Sequence, residues 1–457
     1  MKITNNKAEG VKIAYIGGGS RGWAWTLMAD LILEPDMSGD VYLYDIDYEA
    51  AKANESIGNK TGSNWKYVAA KTIGEALTGA DAVIVSILPG TFDEMQSDVH
   101  APEKYGVYQS VGDTTSVGGV IRAMRTVPMM RDIALAVKEY CPEAWVINYT
   151  NPMTMCVKAL YKAFPEIKAF GCCHEVFGTQ RLLVAMLEDM CGIKGAKQQE
   201  MQVEVTGVNH FTWFTKARYQ NIDLVPIFKE FAEKYAATGF DKSGDKGWMN
   251  SYFTSADKVK MDLYNRYGYI AAAGDRHLAE FMDPDEYLKD PETATDWCFS
   301  LTPVEWRKKN LLERLERSRK LASGEEEFPV NPSGEEGVAQ IMALIGLSTL
   351  VTNVNIPNVG QIPNLPIGSV VETNAVFRSD SLSPVYAGEI PEAIYPLIKR
   401  ISDEMDETVD ACFSYSLDEC YKVFAKNHGL KNVADADKKK LFDEMVANTA
   451  EYLKEYK

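Results

Sequence analysis

Apolar residues in the first hundred positions alternate between short dense runs and stretches where they recur every three or four residues. The run "VKIAYI" ends in "GGGSRGW", and "AWTLMADLILEP" then carries apolar positions at helical spacing up to Pro35. "DVYLYDID" predicts a second strand, "YEAAKANESIGNKTG" a helix, "KYVAAKT" a third strand, "IGEALTGA" a short helix and "DAVIVSIL" a fourth strand. The strand pattern returns in "AWVINYTNP" and the helical one in "MTMCVKALYKAF". Such alternation implies right-handed βαβ crossovers and a doubly wound parallel sheet of the α/β class. The second half is mixed. "VEVTGVNHFTWF" is β-patterned, while "VPIFKEFAEKYAATG" and "EWRKKNLLERLERSRKLASG" are amphipathic helices. "SGEEGVAQIMALIGLSTLVTNVNIPN" predicts a capped, largely buried helix turning into a strand, and the stretch from "AIYPLIKRI" to "YKVFAKN" predicts further helices. The expected architecture is a Rossmann-type nucleotide domain over residues 1–190 and an α+β metal, substrate and oligomerisation domain over 191–457.

Composition narrows the function classes. The 457 residues, 46% hydrophobic and 25% charged, are enough for two buried cores. No apolar run approaches the ~20 residues of a membrane span, and "MKITNNKAEG" lacks a signal-peptide core, so a cytoplasmic location is expected. The 48 basic and 65 acidic residues leave a net charge of −17, which opposes nucleic acid and anionic membranes as partners. An anionic substrate would need basic residues gathered locally. The eight cysteines are irregularly spaced, which predicts reduced and mostly buried thiols.

Gly17, Gly19 and Gly22 match G-x-G-x-x-G, directly after a strand and at the opening of a helix. Ser20 and Arg21 lie inside that turn, where backbone amides would meet a pyrophosphate. Asp45, ending the second strand, is placed for ribose hydroxyls and favours NAD over NADP, with Asp47 as the weaker substitute. Pro89 in "VIVSILPG" and Asn148 and Asn151 in "AWVINYTNP" sit at strand ends facing the same crevice. Asn148 would serve equally well as a turn residue before Pro152.

Two further stretches carry metal-type donors. "FGCCHEVFG" brings Cys172, Cys173, His174 and Glu175 together, and "VEVTGVNHFTWF" holds Asn209 and His210. A soft thiolate and an imidazole from separate segments suit a divalent transition metal, although either side chain in an apolar run also suits simple packing.

"KIAYIGGGS", "VGGVIRAMRTVP", "NYTNPMT", "CHEV", "GVNHF" and "NIPNVGQIPNLP", in this order, resemble glycoside hydrolase family 4 over roughly residues 10–430. The resemblance implies NAD, a divalent metal (usually manganese) and a fold similar to lactate and malate dehydrogenases. It also implies a route outside the paired-carboxylate rule: oxidation at sugar carbon 3, deprotonation at carbon 2, elimination, water addition and re-reduction. Matched motif by motif, it makes Cys173 and His210 metal ligands, Cys172 a packed neighbour and Asn151 a substrate contact. "CHEV" resembles the α-galacturonidase branch, in contrast to the "CHSV" of α-galactosidases and the "CDMP" of phospho-α-glucosidases. Within "YNRYGYIAAAGDRHLAEF", residues 264–281, Asp275 is the first choice of base, ahead of Tyr267, Tyr269 and His277. A helix-capping role is the other reading of Asp275. His174 stands where some members carry an acid, although packing or substrate binding would serve equally. A galacturonide carboxylate calls for a forked donor, for which Arg122 and Arg276 are the local options with His277 as helper. Salt bridging is their alternative. Glu175 beside an anionic sugar is unexplained by charge alone. The resemblance further implies a homodimer or homotetramer, with Asn358 to Pro366 near a subunit contact. Competing readings are an α-galactosidase or α-glucosidase of the same family, a lactate/malate-type dehydrogenase that accumulates NADH, and a non-catalytic nucleotide sensor.

Overall fold

Side chains alternate across a strand, so a sheet buried on both faces needs apolar residues at every position. Ala82–Val85 is buried throughout. In the computed structural model, which describes residues 1–241 and 247–457, this strand lies at the centre of a parallel sheet. Ile13, Tyr15, Ile84 and Ile147 pack into the core on one face, Ala14, Ile16, Val83, Val85 and Val146 into the core on the other.

The parallel strands are Lys7–Ile16, Met37–Tyr44, Trp65–Ala70, Ala82–Val85, Trp145–Asn148 and Lys168–Gly171. Their spatial order, 65–70, 37–44, 7–16, 82–85, 145–148, 168–171, is the doubly wound order of a Rossmann-type fold. The α/β class and parallel sheet expected from the alternation are therefore present. The switch point falls between Lys7–Ile16 and Ala82–Val85, and the glycine turn opens there.

The sheet continues into the second half of the chain. Leu350–Pro357 joins Lys168–Gly171 antiparallel through Asn355 and Gly171, followed by Val370–Arg378 and Ser381–Pro384. A separate antiparallel sheet contains Met201–Val208, Phe211–Tyr219, Ile222–Asp223 and Ile270–Ala271. The helix expected to be capped before "GVAQIMAL" spans Gly337–Leu344 but has Glu336 at its N-cap with no side-chain hydrogen bond, because the glutamate is too long to close the local cap geometry. All eight cysteines are free and six are buried, as expected of packed thiols. Among the described residues no helix is long and apolar enough to cross a membrane.

Gly17 has φ +91°, and a Cβ there would stand 2.0 Å from the Ser86 carbonyl oxygen. Gly17→Ala is expected to lower stability by about 3 kcal/mol, from left-handed strain plus the clash; denaturant unfolding of the two proteins measures it.

Candidate active site

The glycine turn is fixed from below. Gly17 and Gly18 both donate their amides to the Tyr44 carbonyl at 2.9 Å. Asn54 donates to the Gly18 and Ser20 carbonyls at 2.8 and 3.0 Å and accepts from Trp25 Nε1 at 2.8 Å, so its amide is fully used in holding the loop. The Trp23–Leu33 helix starts at Gly22 with no capping side chain and no acid in its first turn, leaving its amides open to an anion. Asp45 accepts from Gly19 N at 2.8 Å and from Asp47 N at 2.9 Å, and burial raises its pKa. Asp47 caps the following helix at Ala50 N. Arg21 Nε is buried without a partner. The Pro89 carbonyl accepts from Arg125 Nε at 3.2 Å, and the Asn148 side chain closes on Thr150 in both directions.

Beyond the strand ends, three segments meet. Asp113, His210 and His277 place one ligand-type atom each so that all three lie within 4.8 Å of one another, the one such cluster among the described residues. His210 occupies the tight turn between Met201–Val208 and Phe211–Tyr219, at φ +64°, a left-handed position that favours glycine or asparagine. Its ring packs against that of His277 with centroids 3.8 Å apart and planes inclined by 32°. Thr114 Oγ1 donates to Asp113 Oδ1 at 2.7 Å and lies 3.0 Å from His210 Nδ1. With its only proton on Asp113, the hydroxyl accepts from Nδ1–H, which leaves the His210 Nε2 lone pair free for a ligand.

Electrostatics set the protonation states a cation requires. Burial opposes charge on Asp113, but Arg122, joined in acid by the protonated rings of His210 and His277, outweighs it and holds the carboxyl at about 2. Burial followed by the neighbouring His277 brings His210 down to about 3, and burial also lowers His277. The cluster is one carboxylate and two neutral imidazoles, the forms that bind metal.

The loop carrying Asp113 is pinned by the helix that presents His277. Arg276 Nη2 donates to the Ser110 carbonyl at 2.5 Å and to Thr302 Oγ1 at 2.6 Å, and its Nε to the Ser300 carbonyl at 2.9 Å. Burial lowers its pKa to about 10. Glu280 Oε1 accepts from the amides of Val111 and Gly112 at 2.6 and 2.8 Å, while its Oε2 is buried without a partner. Burial raises Glu280 to about 8.

The other expected residues fall at different distances from this centre. Glu175 Oε1 lies 3.7 Å from His277 Nε2 and 3.9 Å from His174 Nε2, and its Oε2 accepts from Gly274 N at 2.7 Å. Burial opposes its charge, yet the three histidines and that amide bring it to about 2, which accounts for a glutamate in this position. His174, half-exposed, sits 3.2 Å from Glu335 Oε1 and 6.0 Å from the ring of Trp23, the first residue of the helix after the glycine turn. The Glu335 hydrogen bond is the main cause of its raised pKa. Asn151 Nδ2 reaches Asp113 Oδ2 at 3.5 Å, its carbonyl accepts from Arg122 Nε at 3.1 Å, and its Oδ1 is buried without a partner.

Cys173 lies outside the three-residue cluster. Its thiol is bonded by the Asn209 side chain, and burial with Glu372 and Glu175 nearby raises its pKa far above the ordinary value. Asp275 is fully buried, and its two oxygens accept from Val259 N and Lys260 N at 3.2 and 3.1 Å, the opening amides of the Lys258–Tyr267 helix. It thus caps that helix rather than its own, which starts after Gly274. Tyr267 packs on Trp213 and accepts from Arg266 Nη2 at 3.0 Å. Asp113 and Glu280 carry no role in the sequence reading: Asp113 lies in a polar stretch without periodicity, Glu280 inside the segment 264–281, which points there to other residues, and only the fold brings Asp113 to the histidines.

A doubly wound sheet with an anion-accepting turn at its switch point and a metal-type donor cluster beyond its strand ends defines a Rossmann-fold enzyme class. Family models narrow it: the family 4 glycosyl hydrolase model matches residues 12–189, and the model of that family's C-terminal domain matches 205–428. The chain belongs to glycosyl hydrolase family 4 and is a glycosidase. An alpha-galacturonidase of Thermoanaerobacterium saccharolyticum is 55% identical over 463 residues, covering 100% of this chain and 99% of the relative. A crystal structure from Bacillus subtilis, 48% identical, has a TM-score of 0.92 and covers 96% of this chain and 100% of that one. The 6-phospho-beta glucosidase of Thermotoga maritima, solved with manganese, NAD+ and glucose-6-phosphate, shares the fold at 21% identity, with a TM-score of 0.77 over 97% of this chain and 99% of that one.

The native state holds a proton on Glu280 that the unfolded chain releases near 4.5. Its contribution is complete below that value and is lost as pH rises through about 8. Wild type is therefore expected to lose stability relative to Glu280→Gln across this window; paired thermal melts at pH about 5 and about 8 read the difference.

Proposed function

We propose that this glycosidase is an α-galacturonidase that acts on small α-galacturonides such as digalacturonate, with NAD and a divalent metal, manganese first, as cofactors. The observation that carries the cofactor reading is the joining of the two centres: the ring of Trp23, which opens the helix after the glycine turn, lies 6.0 Å from that of His174, and Glu175, His277 and His210 continue the line to Asp113. The substrate reading rests on the 55% identity to an alpha-galacturonidase across the whole chain.

The residues present fit both groups. The turn closed by Gly17, Gly19 and Gly22, with its open amides and the unpartnered Arg21 Nε, suits a pyrophosphate, and Asp45 suits the ribose. Asp113, His210 and His277 supply the donor set for the metal, and Cys173, which lies outside that set, would have to ionise and move to join it. Bound there, NAD+ would supply a hydride acceptor for a sugar carbinol and the metal a Lewis acid that acidifies the adjacent C–H bond.

The chain's own residues then divide the remaining work. Asn151, with a free buried Oδ1 beside Asp113, accepts a sugar hydroxyl and fixes the ring. The Glu335 bond raises the His174 pKa and so favours the protonated ring, which would donate a proton at Nε2 to the leaving oxygen. Glu175 remains ionised and keeps His277 oriented. Asp275, holding the helix amides of Val259 and Lys260, contributes by fixing the segment that presents His277; Tyr267 lines the packing behind it. Exposed Val359 and Ile367, flanking a loop stapled internally by Asn358, suit the contact of a homodimer or homotetramer.

Digalacturonate is expected to be cleaved only with NAD+ and Mn2+ both supplied, with no net NADH; cleavage of an aryl α-galactoside alone overturns the substrate, and steady NADH build-up without cleavage overturns the reaction. Asp113→Asn is expected to weaken Mn2+ binding at least about 100-fold, read by calorimetry on the NAD-loaded protein. Undiminished binding removes Asp113 from the ligand set.

A further inference from the structure

The galacturonide reading requires a cation for the sugar carboxylate, and the two arginines expected for it are already engaged. Arg122 donates through Nε to the Asn151 carbonyl and balances Asp113. Arg276 spends Nε and Nη2 on three protein oxygens that hold the Asp113 loop. Moving Arg276 onto a ligand would release the loop, and drawing the Arg122 charge toward one would weaken its hold on Asp113.

A third guanidinium stands beside them. Arg307, in the first turns of the Val304–Ser323 helix, lies over the Phe253 ring with 4.9 Å from its carbon centre to the ring centroid. Arg276 lies over the same ring at 5.3 Å. Arg307 is thus one aromatic ring away from the residue that precedes His277. Its Nε is buried and has no hydrogen-bond partner, and among the described residues it forms no ion pair. Burial lowers its pKa, and the charges that act on it are those of Asp113, Arg122 and Arg314. Asp113 is the one acid acting on this half-buried guanidinium, it makes no ion pair with it, and the buried Nε donor is left unfilled, so the group can take a further anion.

We propose that Arg307 is the specificity-determining residue that binds the carboxylate of the sugar, an inference that rests on the galacturonide reading above. Its planar fork matches a carboxylate through two parallel N–H donors, which a neutral hydroxymethyl group at the same carbon cannot satisfy. The competing anion is the cofactor pyrophosphate. Arg314, seven residues further along the same helix, is the arginine nearer that site: its Nη1 donates to the Arg21 carbonyl at 3.4 Å beside the glycine turn.

The test uses the full chain loaded with NAD+ and Mn2+, as wild type, Arg307→Gln and Arg307→Lys. For Arg307→Gln, kcat/KM on an aryl α-galacturonide is expected to fall about 100-fold, mostly through KM, while that on an aryl α-galactoside is unchanged or rises. NAD+ affinity should stay within about twofold of wild type, and Arg307→Lys should recover part of the galacturonide activity. Equal losses on both sugars, or a weakened NAD+ affinity, overturn the proposal, the second result moving Arg307 to the pyrophosphate. If wild type cleaves only the galactoside, the galacturonide function fails by itself. Calorimetry with free galacturonate and galactose then decides the site: binding of galacturonate that Arg307→Gln abolishes keeps it, and no galacturonate binding removes it. Arg307→Lys serves all arms should the Gln variant not fold.

Discussion

Everything beyond the strand ends depends on keeping one half-buried carboxylate, that of Asp113, ionised. Burial alone would neutralise it. The Arg122 charge opposes that, and Thr114 fixes the carboxylate's direction. The arrangement explains why so much of the neighbourhood is spent on a short loop: Arg276 grips its carbonyl, Glu280 its amides, and both come from the helix that presents His277. A single seven-residue helix therefore positions both sides of the cluster.

The left-handed conformation of His210 belongs to the same economy. An imidazole at a turn position that favours glycine costs roughly 1 kcal/mol or more, which persists because the two flanking strands determine the turn. The turn is thus a place where local conformational preference and the chemistry of the side chain disagree, and the chemistry prevails.

The first half of the fold was legible because each strand is a dense apolar run and each helix has a 3.6-residue period; these signals are local. The glycine turn was legible for the same reason, since strand, turn and helix are contiguous. The attachment of Leu350–Pro357 to Lys168–Gly171 was not, because pairing partners far apart in sequence leave no periodic trace. At the site, His210, His277 and Glu175 were visible as chemistry-bearing types in short motifs. Asp113 was not, being one acid among 65 in a stretch with no pattern. Asp275 stood out beside a helix start, but which helix it caps is a tertiary fact: its amide partners lie 15 and 16 residues earlier.

The antiparallel extension has a consequence for synthesis on the ribosome. When the parallel strands have emerged, the outer edge at Lys168–Gly171 still has unpaired backbone groups, and these are met only after residues 350–357 appear. During that interval the nascent nucleotide-binding half presents an apolar edge open to pairing with another chain. The long polar helix Val304–Ser323 is made just before the closing strand and packs against the opposite border of the sheet, on the Tyr48–Lys60 helix. Completion of the sheet and capture of that helix therefore come late and close together, which ties the maturation of the dinucleotide crevice to the arrival of the distant half of the polypeptide.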